Sequence, residues 1–299
     1  MKIFITGASG FVGGTVARRL LDAGHSVRGL VRDERNAKQL SALGIEPVPG
    51  SLDDAALLVR EAQRADGVIH AADSDHLPAV LALIAGLRGS GKPLLHTSGS
   101  SVIGDDARGN RLASTIYDED TPFIVEPLKQ PRRDIDLRVL AAADEGLRAV
   151  VICPSNIYGT GTGLKAGSFQ IPFLVEYAKA NGVVRIVGDG VNRWSNAHID
   201  DVAELYLLAL DKAPAGAFYF IENGEASFAE IGDAIGRRMS LGSAQSWTVE
   251  EATAHWGESH AHYTFGANSR VRAKRARNEL GWAPQHSSVL AWIETEMPL

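Results

Sequence analysis

Hydrophobic runs alternate with amphipathic stretches along the first half of the chain. "KIFIT" opens it as a short β-branched and aromatic run, which predicts a strand. "TVARRLLDAG" follows with apolar residues at helical spacing and a stop at Gly24. The alternation repeats: "HSVRGLVR", "IEPVPG", "DGVIHAA" and "KPLLHTS" read as strands. "ERNAKQLSALG", "DDAALLVREAQ" and "LPAVLALIAGLRGSG" read as the helices between them. Strands alternating with helices at this spacing imply a parallel sheet covered on both faces, a doubly wound α/β fold.

From 104 to 131 the pattern breaks into a polar, proline-containing connection. A helix is expected over 132–146, and "LRAVVICP" returns as a sixth strand. Beyond it, "NIYGTGTG" reads as a glycine-rich loop and "SFQIPFLVEYAKANG" as a helix. "VVRIVGDG" reads as strand and turn, "HIDDVAELYLLALD" as a helix, and "GAFYFIEN" as a strand. The expectation is a dinucleotide-binding domain over 1–160 and a smaller substrate lobe over 161–299, with some return of chain to the first sheet. No repeat or flexible linker separates the two.

Composition narrows the function. With 30 basic and 36 acidic residues among 299, the net charge of −6 gives no general pull toward nucleic acid or anionic membranes. The basic run "RVRAKRAR" (270–277) has a helical pattern and reads as a solvated face. No stretch approaches the roughly 18 apolar residues of a membrane span, and the apolar start is too short for a secretory signal. Cys153, the single cysteine, lies in "AVVIC" and reads as a small core residue. These features suggest a cytoplasmic protein with a small-molecule substrate.

The first chemistry lies in Gly7, Gly10 and Gly13, spaced G-x-x-G-x-x-G between a strand and a helix. Glycine permits a tight turn, a close approach of backbone amides to a pyrophosphate, and close helix–strand packing. The helix N-terminus then faces the anion. Ser9, Phe11 and Val12 belong to the same turn. At the end of the second strand stand Val31 and Arg32, where NAD-selective sites often carry an acid. Arg32, helped by Arg35, suits a 2′-phosphate, so NADP(H) is preferred and NAD(H) remains open.

Several segments then fall in a telling order. They are "TGASGFVG", the Gly50-Ser51-Leu52 turn, "VIHAA" (68–72), "HTSGSSVIGD" (96–105), "VVICPSNIYGTG" (150–161), "GDGVNRWSNAHIDDVA" (188–203) and "ARNELGWAP" (276–284). The chain resembles the extended short-chain dehydrogenase/reductase superfamily, of epimerase/dehydratase type, over nearly its whole length. The resemblance implies that Ser51 and Leu52 lie against the adenine. It implies that His70, Ala71 and Ala72 pass under the cofactor. Thr97 would end a strand below the nicotinamide, with Pro154, Asn156 and Ile157 against that ring. A homodimer through a helix pair is common in the superfamily and is expected here only by that analogy.

The catalytic pattern departs from the family. A Ser/Thr position there falls on Gly99, flanked by Ser98 and Ser100. The Tyr-x-x-x-Lys pair falls on Leu128 and Arg132 within "EPLKQPRRDIDLRVL" (126–140). That segment holds no tyrosine, and its one lysine stands off the family spacing. Leucine cannot transfer a proton, and arginine does not release one usefully. The chain thus resembles atypical members that keep the cofactor site and lose most of the catalytic set. An aspartate replacing the usual asparagine would be Asp73 or Asp75.

Candidate replacements are Ser98 and Ser100 as hydroxyls for a substrate oxygen, Tyr117 as a displaced proton donor, and Arg132 or Arg133 as anion ligands. Each competes with a plainer role: turn serine, packing tyrosine, solvated arginine. Arg193 and Trp194 are candidates to meet substrate, the first on a diphosphate and the second by stacking. Asp200 would cap the following helix, with His198 in the core. In "HWGESHAH", His260 and His262 would share one face of a strand. The spacing of His255, Glu258, His260 and His262 matches no strong zinc pattern, and His76 with Asp73 and Asp75 is no stronger, so no metal is expected. Three functions remain open: an NADP(H)-dependent oxidoreductase with a non-standard proton donor, a non-catalytic NADP(H)-sensing regulator, and a sugar-nucleotide epimerase or dehydratase. The last is weakened because it begins with deprotonation of a hydroxyl.

Overall fold

The computed structural model describes residues 1–299. Its first half runs β1 (Lys2–Thr6), α1 (Phe11–Asp22), β2 (Ser26–Val31), α2 (Glu34–Ala42), β3 (Glu46–Pro49), α3 (Ala55–Arg64), β4 (Gly67–His70), α4 (Leu77–Leu87) and β5 (Pro93–Thr97). Then come α5 (Gln130–Ala141), β6 (Arg148–Pro154), β7 (Asn156–Tyr158), α6 (Gln170–Asn181), β8 (Arg185–Val187), β9 (Arg193–His198), α7 (Ile199–Lys212) and β10 (Ala217–Ile221). The chain closes with β11 (Glu225–Ser227), α8 (Phe228–Met239), β12 (Gln245–Trp247), α9 (Val249–Trp256), α10 (Glu258–His260), α11 (Lys274–Leu280) and α12 (Val289–Thr295).

The main sheet has the order β10-β6-β5-β4-β1-β2-β3, and every pairing in it is parallel. The order reverses between β1 and β4, which opens a crevice at the carboxyl ends of the strands. One apolar layer, including Val16, Leu20, Val202 and Tyr206, lies under α1 and α7. A second, including Leu58, Leu83, Ile135 and Val139, lies under α3, α4 and α5. The β-branched strand residues are enclosed on both faces by these layers, as parallel sheets require. Cys153 is buried in the second layer.

The doubly wound expectation therefore holds. Helix α7 packs beneath the main sheet and β10 pairs with β6. The lobe has its own core, with Tyr158, Phe228, Trp256 and Trp292 among its buried rings.

Several local expectations are corrected. The expected helix over 132–146 is α5 followed by a 3₁₀ turn, Ala142–Glu145, which ends at left-handed Gly146. "NIYGTGTG" is not all loop, since Asn156–Tyr158 pairs with β9. His260 and His262 are not on a strand. His260 ends α10, and His262 lies in a π-helical turn, Ala261–Phe265. Asp200 does not cap α7 with its side chain. The His198 imidazole does, accepting from Asp200 N–H at 3.2 Å. No helix is long and apolar enough to cross a membrane.

Candidate active site at the glycine turn

The turn between β1 and α1 is built by backbone proximity. Gly7 adopts φ +81°, and a Cβ there would stand 2.5 Å from the Ala71 carbonyl oxygen. A Cβ on Gly13 would stand 2.3 Å from the Gly7 oxygen. Only glycine admits both approaches. Gly10 precedes α1, and no side chain caps that helix. Its first amides therefore face the crevice with their partial positive charge.

A groove of about 480 Å³ lies in front of this turn. It brings together Gly7, Ser9, Gly10, Arg32, Ser51, Leu52, Ala71 and Ala72, all nominated by sequence. Asp33, Asp53, Asp73 and His76, from the same loops, complete its rim. Two larger hollows, about 710 Å³ between α3 and α4 and about 680 Å³ beside α1 and α7, reach none of Gly7, Gly10 and Gly13. The chemistry favours the smaller groove, because it holds the helix N-terminus and the polar rim. Phe11 and Val12 pack into the core behind the turn.

Arg32 is exposed at the groove and makes no ion pair. Its neighbour Asp33 is spent on the fold: Oδ1 accepts from Asn36 N–H at 2.8 Å and Oδ2 from Asn36 Nδ2 at 2.7 Å, capping α2. The acid at this corner is thus occupied and the cation is free.

Deeper in the crevice the polar side chains are buried. Thr6 Oγ1 meets His70 Nδ1 at 2.7 Å, and His70 Nε2 meets the Asp73 carbonyl at 3.0 Å. The His70 and His96 rings stack with centroids 5.4 Å apart. Burial is the main cause that pushes His70 down to about 4 and His96 to about 3, so both are neutral near pH 7. Thr97 faces the other side of β5 and bonds Tyr206 Oη at 2.6 Å. Pro154 and Ile157 are buried at the end of β6 and in β7. Asn156 is fully buried beside them, and neither side-chain atom finds a partner within the protein.

The serine candidates separate. Ser100 is turned to the seam with the lobe, its Oγ 2.7 Å from Ser269 Oγ, both buried. It is a seam contact and has no free hydroxyl face for a substrate. Ser98 Oγ donates to Asp136 Oδ2 at 2.9 Å. Asp136, missed by sequence reading, is wholly buried on α5, one turn beyond Arg132. Burial pushes its carboxyl up to about 7, against the pull of the Ser98 bond and of Arg133 and Arg132. The one available signal was its i+4 spacing from Arg132.

Arg132 binds Asp75 through Nε at 2.8 Å and Nη2 at 2.5 Å, and donates from Nη1 to Ser101 Oγ at 3.1 Å. Its guanidinium lies 3.5 Å from where a Cβ of Gly99 would stand. The position of the family lysine is therefore filled by a cation locked to the loop after β4. Asp75, rather than Asp73, is the aspartate brought to α5. Arg133 stacks on Phe123 and Phe218 instead. Leu128, at the tyrosine position, is exposed.

Other nominees fall outside this crevice. The backbone of Tyr117 is pinned between Arg270 and Arg272, and its ring packs on Phe123. Trp194 is 4% exposed in the lobe core and donates from Nε1 to the Ala267 carbonyl at 2.9 Å, leaving no ring face to stack on a ligand. Arg193 pairs with Glu230 at 3.2 Å. His260 stacks on Phe173, and His262 bonds Asp106 at 3.0 Å, so the histidine-rich segment is dispersed. The one close grouping of metal-capable side chains is His198, Asp200 and His286. There the two imidazoles stack at 3.9 Å, and each Nδ1 is already hydrogen-bonded. Stacked rings cannot both aim a lone pair at one ion.

The comparisons agree with this geometry. Residues 3–221 match the model of the NAD dependent epimerase/dehydratase family. An uncharacterised protein of Schizosaccharomyces pombe is 34% identical, covering 99% of both chains. A 2-alkyl-3-oxoalkanoate reductase of Stenotrophomonas maltophilia is 30% identical over 75% of this chain and 71% of its own. Among solved structures, a UDP-glucose 4-epimerase of Thermotoga maritima with UDP-glucose superposes with a TM-score of 0.78 at 18% identity, over 98% of this chain and 96% of that one. At that identity the likeness concerns the fold. Glycine turn, sheet order and family match together place the chain in the NAD-dependent epimerase/dehydratase family, as an extended short-chain dehydrogenase/reductase without the Tyr-x-x-x-Lys pair.

Proposed function

We propose that this protein is an NADPH-preferring reductase of a carbonyl group on a small organic substrate. The observation that carries the cofactor choice is the unpaired Arg32 beside an Asp33 already consumed by the α2 cap. A free guanidinium favours a 2′-phosphate, and a carboxylate already turned to the α2 cap is less available to ribose hydroxyls. The amides at the start of α1 would hold the pyrophosphate, and Leu52 would lie against the adenine. When bound, the reduced nicotinamide supplies the hydrogen and electron pair for a new C–H bond. Carbonyl reduction is also what the name of the Stenotrophomonas relative describes.

Loss of NADPH absorbance across a panel of ketones, aldehydes and 3-oxo acids tests the reading. Tight NADPH binding with no turnover on any of them overturns it. Leu128 and Gly99 at the usual proton-handling positions favour a second reading, a non-catalytic sensor of the NADPH to NADP+ ratio. Equal affinity for the two cofactor forms would sink that version.

A further inference from the structure

The N-terminal turn of α5 sets which side chain stands beside Arg132. Pro127–Lys129 is a 3₁₀ turn that runs directly into α5. On the helical turn that joins the two, residues three apart are neighbours on one face. Lys129 therefore shares the face of Arg132, while Leu128 points outward and is 57% exposed. Arg132 fixes where that face looks, since it touches Asp75, Ser101 and the space beside Gly99.

Lys129 is half-buried there, and its Nζ makes no ion pair or hydrogen bond within the protein. It stands 5.7 Å from the centroid of the Tyr263 ring, across the seam on the π-helical turn of the lobe. Turns of this kind frequently mark functional positions. The cation thus lies at the seam between the two halves of the molecule, near the Arg132–Asp75 pair.

We propose that Lys129 Nζ is the group that hands a proton to the substrate's carbonyl oxygen, in place of the missing tyrosine hydroxyl. The inference rests on the reductase reading above. The carbonyl carbon gains its hydrogen and electron pair from the reduced nicotinamide cofactor. The C=O π pair moves onto oxygen, and oxygen takes a proton as one N–H bond of the Lys129 ammonium breaks. The neutral amine regains a proton from water, and the product is an alcohol.

The surroundings suit that task. Burial, then the Arg132 charge, lower the Lys129 pKa, and Asp75 partly opposes them. A lysine with a lowered pKa releases its proton more readily near neutral pH, and Tyr263 offers a face rather than a competing acceptor.

Two measurements test it. Acetic anhydride labelling of Lys129 at graded pH, read by mass spectrometry, is expected to show a midpoint below that of exposed Lys38. In steady state, Lys129→Arg and Lys129→Gln are each expected to lower kcat by about 100-fold or more while NADPH affinity stays within about twofold. A Lys129 midpoint equal to that of Lys38, or a Lys129→Arg enzyme running at the wild-type rate, overturns the inference and leaves the reductase reading standing. A wild-type protein that binds NADPH and reduces nothing overturns the reading itself, and the inference with it.

Discussion

Ser98 Oγ donates a 2.9 Å hydrogen bond to Asp136 Oδ2 at a point where Asp136 has no exposed surface. The other oxygen, Oδ1, has no hydrogen-bond partner and lies 3.7 Å from His96 Nε2. A carboxyl so enclosed keeps its proton well above the usual carboxylate range because ionisation would place an under-solvated charge inside the protein.

Asp136 therefore destabilises the fold as pH rises. Its carboxyl ionises near 3.8 when solvated and at about 7 when folded. The unfolded chain loses this proton first, so stability falls between about pH 4 and about pH 7. Asp136→Asn removes that slope. Urea melts at pH 7.5 should find the variant more stable than the parent by about 1–4 kcal/mol, a range set by the pKa shift. Equal midpoints at pH 7.5 would refute the burial argument.

The histidine pair works in the opposite direction. His70 and His96 ionise near 6.5 in the unfolded chain but only near 4 and 3 when folded. The unfolded state takes up protons first, so stability is lost as pH falls from about 6.5 through those values. Replacing His96 by Leu should flatten the acid limb of a stability-versus-pH curve. In Asp136→Asn the same limb should steepen, because the opposing carboxyl slope is gone.

Removing the Arg32 cation should change cofactor choice more than stability. The side chain is exposed and unpaired, so Arg32→Ala should leave the melting temperature within about a degree. Loss of charge-assisted bonds to a 2′-phosphate should weaken NADPH by about 10- to 100-fold, with NADH affinity nearly unchanged. Fluorescence titration with both cofactors reads the ratio directly.

Gly13→Ala is expected to damage fold and cofactor binding together. Its new methyl would lie 2.3 Å from the Gly7 carbonyl oxygen, a rigid backbone atom. Helix α1 must shift off β1, at a cost of about 1–3 kcal/mol. Calorimetry should show the lower stability, and titration the loss of NADPH binding.

Trp194 separates packing from recognition. Trp194→Ala should cost about 3–5 kcal/mol through the emptied lobe core. Trp194→Phe keeps most of the ring and loses the Ala267 bond, so it should cost less. A substrate-stacking role would instead appear as a raised KM at unchanged stability.

The alternating strands and helices, the glycine turn and the missing tyrosine are all local properties, and the sequence by itself determined them. Period and turn chemistry act over a few residues, so "KIFITGASGFVGG" carries its own structure. Eight of the nominated cofactor residues meet in one groove for the same reason: each lies in the loop that follows a strand of the main sheet. The tertiary structure decided the rest. Strand β9, "RWSNAH", is polar and carries no strand signal, yet it is buried between β7 and β11 because its partners satisfy it. Ser100 and Trp194 looked available and became seam and core once the lobe closed on them. In the sequence Asp136 is one charge among several in "RRDID", and Lys129 stands off the family spacing. Packing of α5 on β6 and α4 sets the helix phase, which turns Asp136 into the interior and leaves Lys129 at the seam with the lobe. That phase depends on contacts between residues far apart in the chain, which a pattern read along it does not contain.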